Sequence, residues 1–185
     1  GGRAAAPRCG PPLTELLSCQ AFHFDGARAD GAPGRVLAVC FMAQGAPTAQ
    51  WVGQVQACRA SMLEVDALYV CDPANAWYLQ DPGGSWEGIE YFLGLLRRYT
   101  GSYGPRVLML GSSMGATACL LFAELAHLCL AFSPQVELRR GQGRFLGAAV
   151  LGRFEARLAA SLAACPGRVL LHVGRRHHFD ALVAG

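Results

Sequence analysis

The amino-acid sequence predicts an α/β protein: a mostly parallel sheet in a three-layer arrangement, flanked by helices. Three observations carry that expectation. The chain has 185 residues, and a domain uses ~100–200, so one core is expected. Five short apolar runs lack period-two alternation, as strands buried on both faces do. The segments between them show helix-start signals or apolar residues at three- and four-residue spacing. Strands alternating with helices imply a parallel sheet covered on both faces.

Taken in order, residues 1–12 are rich in Gly, Pro and Ala and read as a flexible lead-in, with a single domain over 13–185. A short amphipathic segment from Leu13 leads to Ala21-Phe22-His23-Phe24, an early strand. Asp30 to Gly34 is a turn cluster. Arg35–Phe41 is the first buried-type strand, and Ala43–Pro47 a loop. Residues 51–65 fit either a helix or a loop. Ala67–Cys71 is the second buried-type strand, ending at Asp72-Pro73. Asn75–Gly84 is a loop rich in aromatics, Pro and Gly. Ser85 then reads as the N-cap of a helix with Ile89, Phe92, Leu93, Leu96 and Tyr99 on one side.

Val107–Leu110 is the third such strand, stopped by Gly111. A helix is expected over Met114–His127, a fourth strand over Leu128–Phe132, and a helix over 143–164. Arg168–Val173 is the fifth strand, and Phe179–Ala184 opens a further helix.

Composition excludes several classes. With 52% hydrophobic residues and a net charge of +3, the chain can bury a core and is not intrinsically disordered. No apolar run approaches the ~18–20 residues of a membrane-spanning helix, and no signal-peptide pattern is present. The charge is too small to argue for nucleic acid. All 16 basic residues are arginine. The pairs Arg97-Arg98, Arg139-Arg140 and Arg175-Arg176 have no interleaved aromatics and read as solvated faces and helix ends. Of the eight cysteines, Cys40, Cys71, Cys119 and Cys129 sit inside apolar runs, where free thiols act as small hydrophobes. Without a CxxC or a Cys/His cluster at zinc spacing, reduced thiols are expected, and with them an intracellular setting. The even count keeps secretion open.

The chemistry-bearing segment is Gly111-Ser112-Ser113-Met114-Gly115. It fits G-x-S-x-G, with an apolar strand running in and a helix leaving. The spacing has a steric reason. A bend this sharp puts the serine at a strained backbone position, and residues two either side must be small. Ser113 would project its hydroxyl over the sheet edge at a helix N-terminus, where amides and dipole favour negative charge. The bland alternative is a Gly/Ser turn with Ser112 or Ser113 as N-cap. A phosphate loop is disfavoured, since neither the Lys-Ser/Thr of a P-loop nor G-x-G-x-x-G is present.

On the stretch VLMLGSSMGATACLLF, and on the order of elements around it, the chain resembles the α/β-hydrolase superfamily over about residues 35–185. The resemblance implies that the five strands correspond to the family's third to seventh. It also implies Ser113 as nucleophile in a triad of chain order Ser, acid, His. Asp180, after the fifth buried-type strand, is the implied acid, with Glu137 in reserve. For the base, two accounts stay open. The histidine lies past Gly185, the chain being a fragment that stops in mid-helix, or His177 or His178 serves. His127, His172 and His23 are not assigned a catalytic part. The oxyanion donors would be the amide of Met114 plus that of Met42 or Ala43, by position only, as no HGGG motif appears. Trp77 and Tyr78, on the loop leaving the second buried-type strand, either line a substrate pocket or pin the loop to the core.

The expected function is a serine hydrolase acting on an ester or related acyl bond of a small-molecule or acylated substrate. This chemistry requires no cofactor and no metal. The alternatives are acyl transfer by the same bend, or a non-catalytic domain that keeps the bend as scaffold and binds a partner or glycan.

Overall fold

The computed structural model of the protein describes residues 22–26, 34–46, 49–139 and 142–174. Six strands form one sheet among them: β1 (Phe22–Asp25), β2 (Val36–Phe41), β3 (Val65–Val70), β4 (Val107–Ser112), β5 (Leu128–Phe132) and β6 (Arg168–His172). Their order across the sheet is β1-β3-β2-β4-β5-β6. β1 runs antiparallel to β3, and every other neighbouring pair is parallel. Between the strands lie α1 (Val52–Ala60), α2 (Gly88–Thr100), α3 (Met114–Leu121) and α4 (Ala148–Ala163).

The predicted class is therefore the observed one, and side-chain alternation shows how the layers form. Leu37, Val39 and Phe41 of β2 pack with Leu68 and Val70 of β3, Met109 of β4, and residues of α2, α3 and α4. Ala38 and Cys40 point the other way, with Ala67 and Tyr69, against Val55 of α1. Both sets are apolar because both faces are covered, which is why β2 and β3 read as unbroken runs rather than alternating ones. All six residues of β3 are buried. The three helices on one face follow from right-handed crossovers moving outward from β3 to β6; the β2-to-β3 step moves the other way and places α1 opposite. An apolar groove of about 430 Å³ lies beside α1, lined by Ala38, Val55, Leu108, Leu110 and Leu130 among others.

One end of the sheet is fixed by charge. Asp66 is fully buried. It accepts two bonds from Arg35, 2.9 Å from Nε and 2.6 Å from Nη2, and a third from the Tyr103 hydroxyl at 2.9 Å. A buried carboxylate persists only when paired and hydrogen-bonded in this way.

One open expectation is settled and two are corrected. Residues 52–60 resolve the ambiguous segment as helix. α2 starts at Gly88, with Glu87 rather than Ser85 as N-cap. Ser85 is drawn into a separate turn, its N–H donating to Asp81 Oδ1 at 2.8 Å and its carbonyl accepting from the Asp81 N–H at 2.9 Å. α3 is shorter than expected. It stops at Leu121, and residues 123–125 form a 3-10 turn. Phe122 leaves helical geometry at φ −122° and is fully buried, stacked on Phe41 at 6.0 Å. The His127 N–H then joins the Val107 carbonyl at 3.0 Å, which aligns the chain for β5.

Candidate active site

The parallel strands end along one edge, where α/β sheets of this kind bind ligands. Three segments meet there: the β4–α3 bend, the loop after β2 and the loop after β3.

At the bend, Ser113 has φ 53° and ψ −120°. A non-glycine residue there stores about 1–3 kcal/mol of strain. The surroundings enforce the conformation. A Cβ on Gly111 would lie 2.1 Å from the Gly115 carbonyl oxygen. One on Gly115 would lie 2.6 Å from the Phe41 carbonyl oxygen and 2.9 Å from that of Met42. The main chain of α3 thus rests directly on the end of β2, with no side chain between. The Ser113 N–H is bonded to the Phe132 carbonyl at 2.8 Å, which ties the bend to β5. Its side chain is half-buried. The Ser113 side chain makes no capping bond to α3, and the Met114 amide, in the first turn, has no intrahelical acceptor.

Thr117 braces the bend from behind. Its hydroxyl lies 3.3 Å from the Ser113 carbonyl and 3.0 Å from that of Gln135, and it accepts the Gln135 N–H at 2.8 Å. Gln135 Oε1 in turn accepts from Trp77 Nε1 at 2.8 Å.

The loop after β2 carries the two other candidate donors, and they differ. The Met42 N–H points at two acceptors, the Val70 carbonyl and the Tyr78 hydroxyl, each at 3.0 Å. It is committed to the fold. Among the described residues, the Ala43 N–H bonds a side chain alone, Gln50 Oε1, at 2.7 Å.

The loop after β3 is organised by Asp72, which is 3% exposed. Its carboxylate accepts backbone N–H groups from Ala74, Ala76 and Tyr78 at 3.1, 2.7 and 2.8 Å. Burial pushes this carboxyl above the usual range, while those N–H bonds pull it back. The bonds hold Asn75, Trp77 and Tyr78 at φ 52°, 55° and 61°. Trp77 and Tyr78 are fully buried, so they shape the site from beneath and present no ring face to solvent. A cavity of about 200 Å³ opens between the two loops, lined by Met42, Ala43, Cys71, Asp72 and Asn75 among others.

His177, His178 and Asp180 lie outside the described residues. Glu137 is exposed. Among the described residues, no histidine bonds Ser113: His172 stacks on Phe132 at 4.6 Å and His23 on Tyr69 at 6.5 Å. The described residues hold no cluster of metal-ligating side chains, and no helix among them is long and apolar enough to cross a membrane. All six described cysteines are free thiols. Gln50, Thr117 and Gln135 were not singled out by sequence, because no periodicity marks a polar side chain that folds back on a loop amide.

No protein-family model and no curated protein sequence matches the chain. Solved structures do. A fluorophosphonate-binding serine hydrolase F from Staphylococcus aureus is 13% identical, with 85% of this chain and 72% of that one covered and a TM-score of 0.56. The capsule O-acetyltransferase of Neisseria meningitidis serogroup A is 11% identical, with 92% and 82% covered and a TM-score of 0.53. A glycosylation-associated protein (Gap123) complex from Streptococcus agalactiae is 13% identical at a TM-score of 0.52, with 75% of this chain covered but only 31% of that one. These likenesses establish the fold: the sheet and helices are those of the α/β-hydrolase architecture, which hydrolases and acyltransferases share.

Proposed function

We propose that the protein is a serine hydrolase acting on an ester or related acyl bond, with Ser113 as nucleophile. One observation carries the reading: a non-glycine residue held at φ 53° and ψ −120°, between two glycines whose Cβ positions are already filled by main chain. That arrangement lifts a hydroxyl over the strand ends at a helix N-terminus, where developing negative charge is favoured.

In this reading the Ser113 oxygen attacks the acyl carbon and gives its proton to a histidine. That histidine is His177, His178 or one past Gly185, and Asp180 orients it. The amides of Met114 and Ala43 hold the oxyanion; the two acceptors already facing the Met42 N–H favour Ala43 over Met42. The leaving alcohol takes the proton from the histidine, and water then releases the acyl group. Transfer to an alcohol in place of water uses the same first half, and the likeness to a capsule O-acetyltransferase supports keeping it as a second reading.

A fluorophosphonate reagent should label the folded protein, with the adduct mapping to Ser113 by peptide mass. Ser113→Ala should abolish labelling without lowering the thermal midpoint. Absence of an adduct in protein shown to be folded overturns the nucleophile, and adding an acceptor alcohol to an ester assay separates transfer from hydrolysis.

A further inference from the structure

The geometry points to Gln50 as a specificity-determining residue, whose carboxamide oxygen holds the position that a substrate's carbonyl oxygen must take. The inference rests on the reading of Ser113 as nucleophile and of the Ala43 amide as an oxyanion donor.

The argument begins with which amide is left. Met42 is saturated by a β3 carbonyl and by Tyr78, so on the loop after β2 the next donor is Ala43. Its only acceptor among the described residues is Gln50 Oε1 at 2.7 Å, the short end for an N–H···O bond. A carboxamide oxygen is a planar carbonyl oxygen like that of an ester, and the stronger acceptor of the two. The occupant of this position therefore matches the ligand proposed for it.

Gln50 is anchored on both sides. Its N–H faces Met42 Sδ at 3.3 Å. The next residue, Trp51, takes a left-handed conformation at φ 71° and packs tilted against Phe132, ring centroids 5.4 Å apart. Phe132 is the residue whose carbonyl receives the Ser113 N–H. The carboxamide is thus held in register with both halves of the site.

Displacing it costs a substrate the same in the ground state and in the transition state. Gln50 therefore raises KM and leaves kcat little changed, the pattern of a uniform binding term. It also selects. A neutral carbonyl must compete with the carboxamide by its own strength as an acceptor, whereas the charged oxyanion forms a bond roughly twice as strong. Among neutral acyl groups the weaker carbonyl acceptor displaces Gln50 less readily, so the residue discriminates against weakly accepting carbonyls.

The test compares Gln50→Ala and Gln50→Glu with the wild type, using a fluorophosphonate reagent and p-nitrophenyl acetate. Gln50→Ala should label at Ser113 about 3–10-fold faster, the worth of one net hydrogen bond, with KM lowered and kcat little changed. Gln50→Glu should label more slowly than wild type, because a carboxylate holds the Ala43 amide harder and repels the oxyanion. A merely structural glutamine would give loss in both variants. Equal or slower labelling of Gln50→Ala, with the adduct still on Ser113, overturns this inference and leaves the nucleophile standing. Labelling of Gln50→Ala alone supports it. No Ser113 adduct in any folded variant removes both.

Discussion

The Tyr78 hydroxyl closes on the main chain of Met42 from both sides, accepting its N–H and facing its carbonyl at 3.0 Å each, and reaches the Val70 carbonyl at 3.1 Å. Burial keeps this phenol well above its ordinary pKa, so it stays neutral and keeps its proton. Tyr78→Phe removes a buried donor and acceptor, at about 1–3 kcal/mol. For a chain of this size that is a fall in thermal midpoint of about 2–4 °C per kcal/mol. Because Ala43 follows Met42, labelling of Ser113 should slow as well. A variant as stable as wild type would show that the clamp carries no weight.

Gly115 and Gly152 make a matched pair. A methyl on Gly115 meets the Phe41 and Met42 carbonyls, and neither strand nor helix can move aside cheaply. Gly115→Ala should lose about 2–3 kcal/mol in urea unfolding. Gly152 lies inside α4 with nothing within 4 Å, so Gly152→Ala should gain about 1 kcal/mol from helix propensity. Opposite signs are the expected result; two losses would contradict the steric account.

The buried thiols predict an alkaline limit. Burial pushes Cys40 and Cys129 up to about 12, and both are fully buried, whereas an unfolded thiol titrates near about 8.5. Between these values the unfolded chain binds fewer protons than the native one, so stability falls as pH rises. It should be flat in this respect below pH ~8 and decline above pH ~9, by at most about 1.4 kcal/mol per pH unit for each thiol. Urea unfolding at several pH values checks this, and Cys40→Ala should reduce the slope whatever it does to the intercept.

The parts of the fold legible in sequence are those governed by burial on both faces. β2 and β3 are nearly continuous apolar runs because helices cover each side. β1 could be seen as a strand, but its four half-buried residues carry no mark of its antiparallel direction. The bend at Ser113 was readable because its two glycines answer a steric demand within five residues. The sequence puts the aromatic loop after a buried strand, yet whether its rings face solvent or core depends on bulky residues held left-handed, which propensity disfavours. Asp72 imposes that by gathering three amides, the last of them six residues on. The partners of Tyr78 and Gln50 are set by how loops fold across one another, and a linear pattern holds no trace of them.

Contact between bare main chains at Gly115 has a further consequence. At that point the bend and the end of β2 are spaced by main chain, with no side chain between them. The residues that line the cavity can therefore vary while the main-chain frame behind them stays as it is.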